Sequence, residues 1–430
     1  MIAFSSSKID VMVVGGGPAG ATAARFLARA GRRVTVLDRA PFPRNKPCGG
    51  GISTRALLRF PYLNENLSRI AAHFLSRLHL EGPDGDSVVI ESDEPAALMI
   101  RRVEFDNLLL SLAIEAGADV ITSADVVRVE ERADRVMLDT RDGRQFSAPV
   151  VVAADGVNSI VARRLGLNPG WPPRAVALDM MEETPRTRLR DVDPSTLWVA
   201  YGCNPRGGTP VKGESQTRAH EGYAYIFPKR DHVNVGVGYV LSHYREAIER
   251  APYELQREFV GWLRDRGILE GDSDRRNFTP FLIPVGGPLR APGRGRVLLA
   301  GDAGGFVNGF TAEGIYYAMV SGELAGRAVL ESAANVSLMA ETYRRACDHE
   351  IGSELRDSVL IQRFLFADRR RIAHVIAGAS RGRRMTNLVL DLAMGKRTYR
   401  DVRRRWLLCA PATALQFVYE RRRLRRYDVN

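Results

Sequence analysis

The sequence has 430 residues, 45% hydrophobic and 26% charged, a globular composition with length for two or three structural units that argues against a disordered or fibrous chain. Its four cysteines, Cys48, Cys203, Cys347 and Cys409, lie far apart and form no CxxC pair; neither a disulfide scaffold nor a metal site is expected, and a reducing cytoplasm fits. The net charge of +12 lies wholly at one end, since residues 369–430 hold 17 of the 62 Lys+Arg and 4 of the 50 Asp+Glu, a local +13.

"MIAFSSSKID" leaves no room for a signal peptide, and no stretch reaches the roughly 18 uninterrupted apolar residues of a spanning helix. "DVMVVGGGPAGATAARFLARAGRRVTVLD" then predicts strand, glycine turn, helix and strand, with Pro18 in the first helical turn. Gly15, Gly17 and Gly20 spell GxGxxG. The first glycine makes the tight turn, the second lets backbone approach a pyrophosphate, and the third lets helix pack on strand. Asp38 ends the next strand, where a carboxylate accepts ribose hydroxyls. This unit alone leaves NAD, NADP and FAD open.

"KPCGGGIS", Lys46 to Ser53, follows. Three consecutive glycines give up more backbone entropy than a strand or helix interior tolerates, so something must come close to the backbone there. Hairpin turns are expected at "PDGD" and "RDGR". Buried strands at "APVVVAADG" and "GRVLLAGDAGG" lie far apart yet end alike, which implies a discontinuous domain. Between them "GYAYIFPKRDHVNVGVGYV" predicts an antiparallel hairpin. Tyr223, Tyr225 and Phe227 alternate within it and share one face. Helices are expected at 314–333, 339–366 and 383–406. "LLCAPATALQFVY", Leu407 to Tyr419, is apolar, too short to span, and flanked by arginine clusters. That pattern points to an anionic membrane surface or an acidic protein partner, and no nucleic-acid motif stands beside the charge.

In "GDAGGFVNGFTAEGIYYAM" an acid at a strand end, Asp302, precedes a glycine turn and a helix start at Gly314 and Ile315. Backbone amides and the helix dipole then converge on one place. With "AADGVNSIVARRLG" and "IRRVEFDNLLLSLA", these segments resemble the p-hydroxybenzoate hydroxylase-type FAD-dependent oxidoreductases and halogenases. Within that group the chain is most similar to the geranylgeranyl reductase family, from about residue 9 to 406, on "KPCGGGIS", "YAYIFPKRDHVNVGVG", "GDAGGFVNGFTAEGIYYAM" and "GKRTYRDVRRRWL".

The GxGxxG pattern offers Gly15 and Gly17 as cofactor-binding residues, and the resemblance implies FAD contacts at Ala19, Gly20, Asp38, Cys48, Gly49, Gly51, Arg102, Val126, Asp302, Gly314 and Ile315. It implies glycines 49–51 passing against the isoalloxazine ring, with Cys48 at its edge as the one protein group offered for catalysis. Tyr223, Tyr225 and Phe227 would line a substrate pocket for a prenyl chain or an aromatic ring. Three positions depart from the family: Gly309 replaces proline, Ala312 replaces glycine and Tyr225 replaces tryptophan. The tryptophan-rich halogenase motif is absent.

The expected fold is α/β, a Rossmann-like FAD-binding domain in three pieces (1–70, 101–165 and 286–333). Substrate-domain strands fall at 71–100 and an antiparallel-sheet substrate domain at 166–285, followed by a basic helical region at 334–430. The expected activity is reduction of isoprenoid double bonds by hydride from FAD, which an external NAD(P)H or protein carrier reduces. The alternative is an FAD-dependent monooxygenase, or a halogenase, acting on an aromatic substrate carried on a protein partner. The expected location is the cytoplasm, with peripheral membrane contact.

Overall fold

A computed structural model describes residues 10–202, 221–248, 250–381, 383–393 and 396–409. Its first sheet has six strands in the order Gly293–Arg294, Val297–Leu299, Val150–Ala153, Val11–Val14, Val34–Leu37, Asp119–Ile121, parallel except for the first pair. Both faces are covered, which is why "VMVV" and "VVVA" are continuous apolar runs instead of alternating ones. Val11 and Val13 face the helices Pro18–Arg29, Arg102–Glu115 and Ile315–Glu331. Met12 and Val14 face a three-stranded antiparallel meander, Val126–Glu131, Val136–Thr140 and Gln145–Ala148.

The second large sheet has seven strands in the order Phe278–Ile283, Ala177–Pro185, His232–Val240, Gly222–Pro228, Thr196–Tyr201, Arg77–Glu81, Ser87–Glu91. It is antiparallel except where Thr196–Tyr201 runs parallel to Arg77–Glu81. That pair comes from two separate excursions of the chain, and parallel pairing needs such a long connection. One face buries Trp198, Ile226, Val235 and Val237 against Leu255, Phe259 and Leu263 of the helix Pro252–Asp265. The other face is left to line a cavity. A small antiparallel sheet, Gly51–Ser53, Ala97–Met99 and His73–Leu75, holds the triple-glycine segment between the two large sheets.

The C-terminal region is helical, with boundaries that differ from expectation. Met339–Cys347 and Ser353–Phe366 are joined by a π-helical stretch, Asp348–Gly352. The single helix expected at 383–406 is two, Arg383–Ala393 and Tyr399–Cys409. A further helix, Arg369–Arg381, was not expected. It buries Ile372, Ile376 and Ala379 at helical spacing, a signal hidden by three leading arginines and by β-branched residues around Gly378. Among the described residues no helix is long and apolar enough to cross a membrane. Most of the apolar run and the arginine cluster after it lie outside the described residues.

Candidate active site

The cradle starts at the first strand. Gly15 has φ +99°, and a Cβ there would stand 2.3 Å from the Ala154 carbonyl oxygen. A Cβ on Gly20 would stand 1.8 Å from the Gly15 carbonyl oxygen, so the helix can sit this close to its strand only as glycine. Ala19 is buried beneath the helix Ile315–Glu331, where a Cβ on Gly322 would meet the Ala19 carbonyl oxygen at 2.2 Å. At Gly17 the position of a Cβ meets only an Arg44 nitrogen, at 3.4 Å. Gly17 begins a helix with no side-chain cap and no acid in its first turn, an arrangement that suits a phosphate.

Asp38 is buried at the end of the second strand; it accepts from the Gly16 amide at 2.7 Å and the Ala40 amide at 2.9 Å. The Ala124 amide donates to the Asp38 carbonyl oxygen at 2.8 Å, which brings the Val126 segment alongside; Val126 itself is buried in the core between the meander and the six-stranded sheet. Arg102 is buried and bonds Asp106 through two nitrogens, at 2.6 and 2.8 Å. Asp302 holds a half-exposed carboxylate 3.8 Å from Lys46, and the helix beginning at Ile315 after Gly314 has neither a side-chain cap nor an acid in its first turn. Asp155, by contrast, serves the fold: it accepts from the Ser159 hydroxyl and the Ile160 and Val161 amides.

Sequence reading passed over two cations. Arg44 stands 3.8 Å from Asp38 and 3.3 Å from Asp106, over the glycine turn, and Lys46 faces Asp302. Both sit in "FPRNKP", a loop with no periodicity to mark them. Two uncapped helix starts, two strand-end carboxylates, an open glycine and two cations form a donor set that fits FAD. Arg44 and the Gly17 turn would hold its pyrophosphate, Asp38 a ribose and Asp302 the ribityl chain.

Protein packing gives a reason of its own for two of the three glycines. A Cβ on Gly49 would stand 2.5 Å from the Phe227 ring, and one on Gly50, at φ +77°, 2.1 Å from the Ile100 carbonyl oxygen and 3.0 Å from Lys229 Cε. Those two glycines are therefore required by the protein's own packing against the large sheet, and Gly51 meets nothing nearer than Met99 sulfur at 3.6 Å. Lys229 is fully buried beneath Gly50, bonded to Glu183 at 2.7 Å, and burial pushes its amine below the ordinary range. Cys48 Sγ accepts from the Gly50 amide at 3.4 Å, and the Asn234 side chain donates to the Cys48 carbonyl oxygen at 3.3 Å.

A cavity of about 330 Å³ opens against this loop. Its floor is Cys48 to Ser53, its wall the free face of the seven-stranded sheet, and its roof the last four helices, which contribute Ile361, Leu365, Ile372, Ile376, Val389 and Val402. Tyr223, Tyr225 and Phe227 all line it. The Tyr225 and Phe227 ring centroids are 4.5 Å apart, and the Tyr223 hydroxyl donates to the Thr311 carbonyl oxygen at 2.8 Å beside the Gly314 turn. At one end Arg55 bonds Glu354 at 3.0 Å and lies 3.6 Å from Glu313, which accepts from the Ser53 amide at 2.9 Å; burial raises the Glu313 carboxyl above its ordinary range.

The departures from the family are accommodated. The Gly309 amide donates to the Ser358 hydroxyl at 2.8 Å, a bond proline could not make. Ala312 has φ +58°, the left-handed region in which glycine is unstrained.

The FAD binding domain family matches residues 8–329. Menaquinone reductase of Mycobacterium tuberculosis is 32% identical over 351 residues, 78% of this chain and 81% of that protein. Digeranylgeranylglycerophospholipid reductase 2 of Methanothermobacter thermautotrophicus is 30% identical over 373 residues, 83% of this chain and 88% of that one. The fold is shared with a geranylgeranyl bacteriochlorophyll reductase-like protein from Thermoplasma acidophilum, at a TM-score of 0.74 and 22% identity over 89% of this chain and 95% of that one. The chain belongs to the FAD binding domain family and, within it, to the geranylgeranyl reductase group of FAD-dependent oxidoreductases.

Proposed function

We propose that the protein reduces isoprenoid double bonds in a lipid carrying a geranylgeranyl-type chain. The observation that carries this reading is the cavity, an apolar space between sheet and roof whose floor is the glycine loop at the FAD cradle. A cavity lined by leucine, isoleucine, valine and aromatic rings suits a polyprenyl chain. The names of the two relatives, a menaquinone reductase and a digeranylgeranylglycerophospholipid reductase, support the same class of substrate.

Bound and reduced, FAD supplies a hydride to one alkene carbon. The chain's residues orient the alkene over the glycine loop and exclude water from it. Electrons reach the flavin from an external donor, NAD(P)H or a reduced protein carrier. The basic residues of 369–430 hold the enzyme at the cytoplasmic face of an anionic membrane, where such a lipid resides. The test is to incubate chemically reduced enzyme, without oxygen, with a geranylgeranyl-bearing lipid. Mass spectrometry should show a gain of two hydrogens per double bond reduced; no gain from fully FAD-loaded enzyme rejects the reading.

A further inference from the structure

Saturating a double bond consumes a hydride and a proton, and the pocket wall contains one group suited to give the proton. Asp179 lies on the strand Ala177–Pro185, in register with Phe281 on one side and Gly238 on the other, and Gly238 is in register with Tyr223. Gly238 presents no side chain, and Asp179 Oδ1 lies over it at the pocket wall, 3.3 Å from where a Cβ would stand. In the next row Tyr225 is in register with Gly236, where a Cβ would stand 2.5 Å from the Tyr225 hydroxyl. The two glycines of "VGVG" let the Tyr225 ring lie across the sheet, and its hydroxyl donates to Asp179 Oδ2 at 2.9 Å. Asp179 Oδ1 is buried and has no hydrogen-bond partner.

The site sits between the two places where wall and cradle touch. Tyr225 packs on Phe227, which covers Gly49, and Phe281 lies 5.8 Å from Lys46, the partner of Asp302. The geometry points to Asp179 as the catalytic acid that protonates the second alkene carbon, with Tyr225 as its positioning residue; this rests on the reductase reading. The O–H bond of the Asp179 carboxyl breaks as a C–H bond forms, and the hydride from reduced flavin completes the alkane. The flavin is left oxidised and Asp179 a carboxylate, which accepts the Tyr225 hydrogen bond until water reprotonates it.

Burial drives the Asp179 carboxyl up to about 7, against the Tyr225 hydroxyl and the Met180 amide, which pull it down. A general acid in that range matches neutral operating conditions. Tyr225 is pushed well above its ordinary value by burial and by Asp179, and so keeps its proton. The titratable groups near this pair are Tyr223 from the same strand as Tyr225 and Cys48 from the floor. The neighbouring strands present Gly238 and Phe281. The other ionisable groups of the pocket are Tyr201, Tyr239, Tyr399, Arg77, Glu221 and the Arg55, Glu313 and Glu354 cluster. Glu313 and Glu354 are engaged by Arg55 and the Ser53 amide, and Glu221 has an interaction of its own; among the described pocket carboxyls Asp179 is the one with a buried oxygen that lacks a hydrogen-bond partner.

The experiment compares wild type, Asp179→Asn and Tyr225→Phe, all FAD-loaded. In anaerobic single turnover with a geranylgeranyl lipid, Asp179→Asn should slow alkene reduction about 100-fold or more and lose the wild type's fall in rate above neutral pH. Lipid binding, read from the oxidised flavin spectrum, should be unchanged. Tyr225→Phe should move that fall to higher pH. A second readout needs no substrate: the infrared carbonyl band of a protonated carboxyl should titrate near neutrality in wild type, vanish in Asp179→Asn and titrate higher in Tyr225→Phe. A wild-type rate and pH profile in Asp179→Asn, or no band lost in that variant, overturns the proposal. If wild type reduces no isoprenoid, the function reading and the proton's destination fall together, and the infrared arm still decides whether Asp179 holds a proton.

Discussion

Asp179 sets local stability against chemistry. Its carboxyl is raised from 3.8 to about 7 by burial, so between those values the folded chain binds more protons there than the unfolded chain. Stability therefore falls as pH rises through that window. Asp179→Asn should remove the fall and be more stable than wild type at pH 8 by on the order of 3 kcal/mol, with little difference at pH 4. Thermal unfolding at both pH values checks this, and parallel curves for the two proteins would contradict it. In the cradle, Asp302→Ala and Gly17→Val should both lose FAD, the first by removing a ribityl hydrogen bond and the second by filling the space before the helix start. Full flavin occupancy in both variants would reject the assignment. Gly15, Gly17, Gly20, Asp38 and Asp302 were legible in the sequence because turn, helix start and carboxylate are local in the chain. Asp179 was not. Asp179, one of three acids within "AVALDMMEETP", has no local mark, and only the register of three strands brings it beside Tyr225.

The four helices from Ser353 to Cys409 explain why the C-terminal third is built as it is. A basic helical region reads from sequence as a solvated or membrane-facing surface, yet these helices turn an apolar side onto the cavity. Ile372 and Ile376 join Leu365, Phe366 and Val402 in one cluster there. Basic residues occupy other positions, and some tie the roof down, as Arg369 does to Asp84 and Lys396 to Glu94. Exposed pairs of this kind add little stability, so the apolar contacts hold the roof. Val389 is half-buried and lines the cavity. Val389→Glu should weaken lipid binding at least tenfold, about 1.4 kcal/mol, while FAD content stays that of wild type. Flavin fluorescence on lipid titration reads both, and unchanged lipid affinity would show that the roof does not form the binding wall. The strands "GYAYIFP" and "HVNVGVGYV" were expected and observed; the Arg369–Arg381 helix and the break near residue 396 were not, because their apolar spacing is short and crowded by arginine.

For the molecule as a whole, the charge of +13 over residues 369–430 and the insolubility of a polyprenyl lipid lead to one expectation. Protein lacking residues 407–430 should adsorb less to anionic liposomes at low salt, at about 1 kcal/mol for each basic residue near the surface, with its flavin spectrum unchanged. Equal adsorption of both forms would remove the membrane reading and leave the cradle and pocket untouched. The central claim, that reduced flavin in this pocket passes its hydride to an isoprenoid alkene, is tested most directly by rapid mixing. Chemically reduced enzyme is mixed, without oxygen, with a geranylgeranyl lipid while flavin absorbance is followed. The account predicts that the flavin reoxidises in step with appearance of the saturated product, and that aromatic compounds leave it reduced. Flavin that stays reduced until oxygen is admitted, and then hydroxylates an aromatic ring, would contradict it.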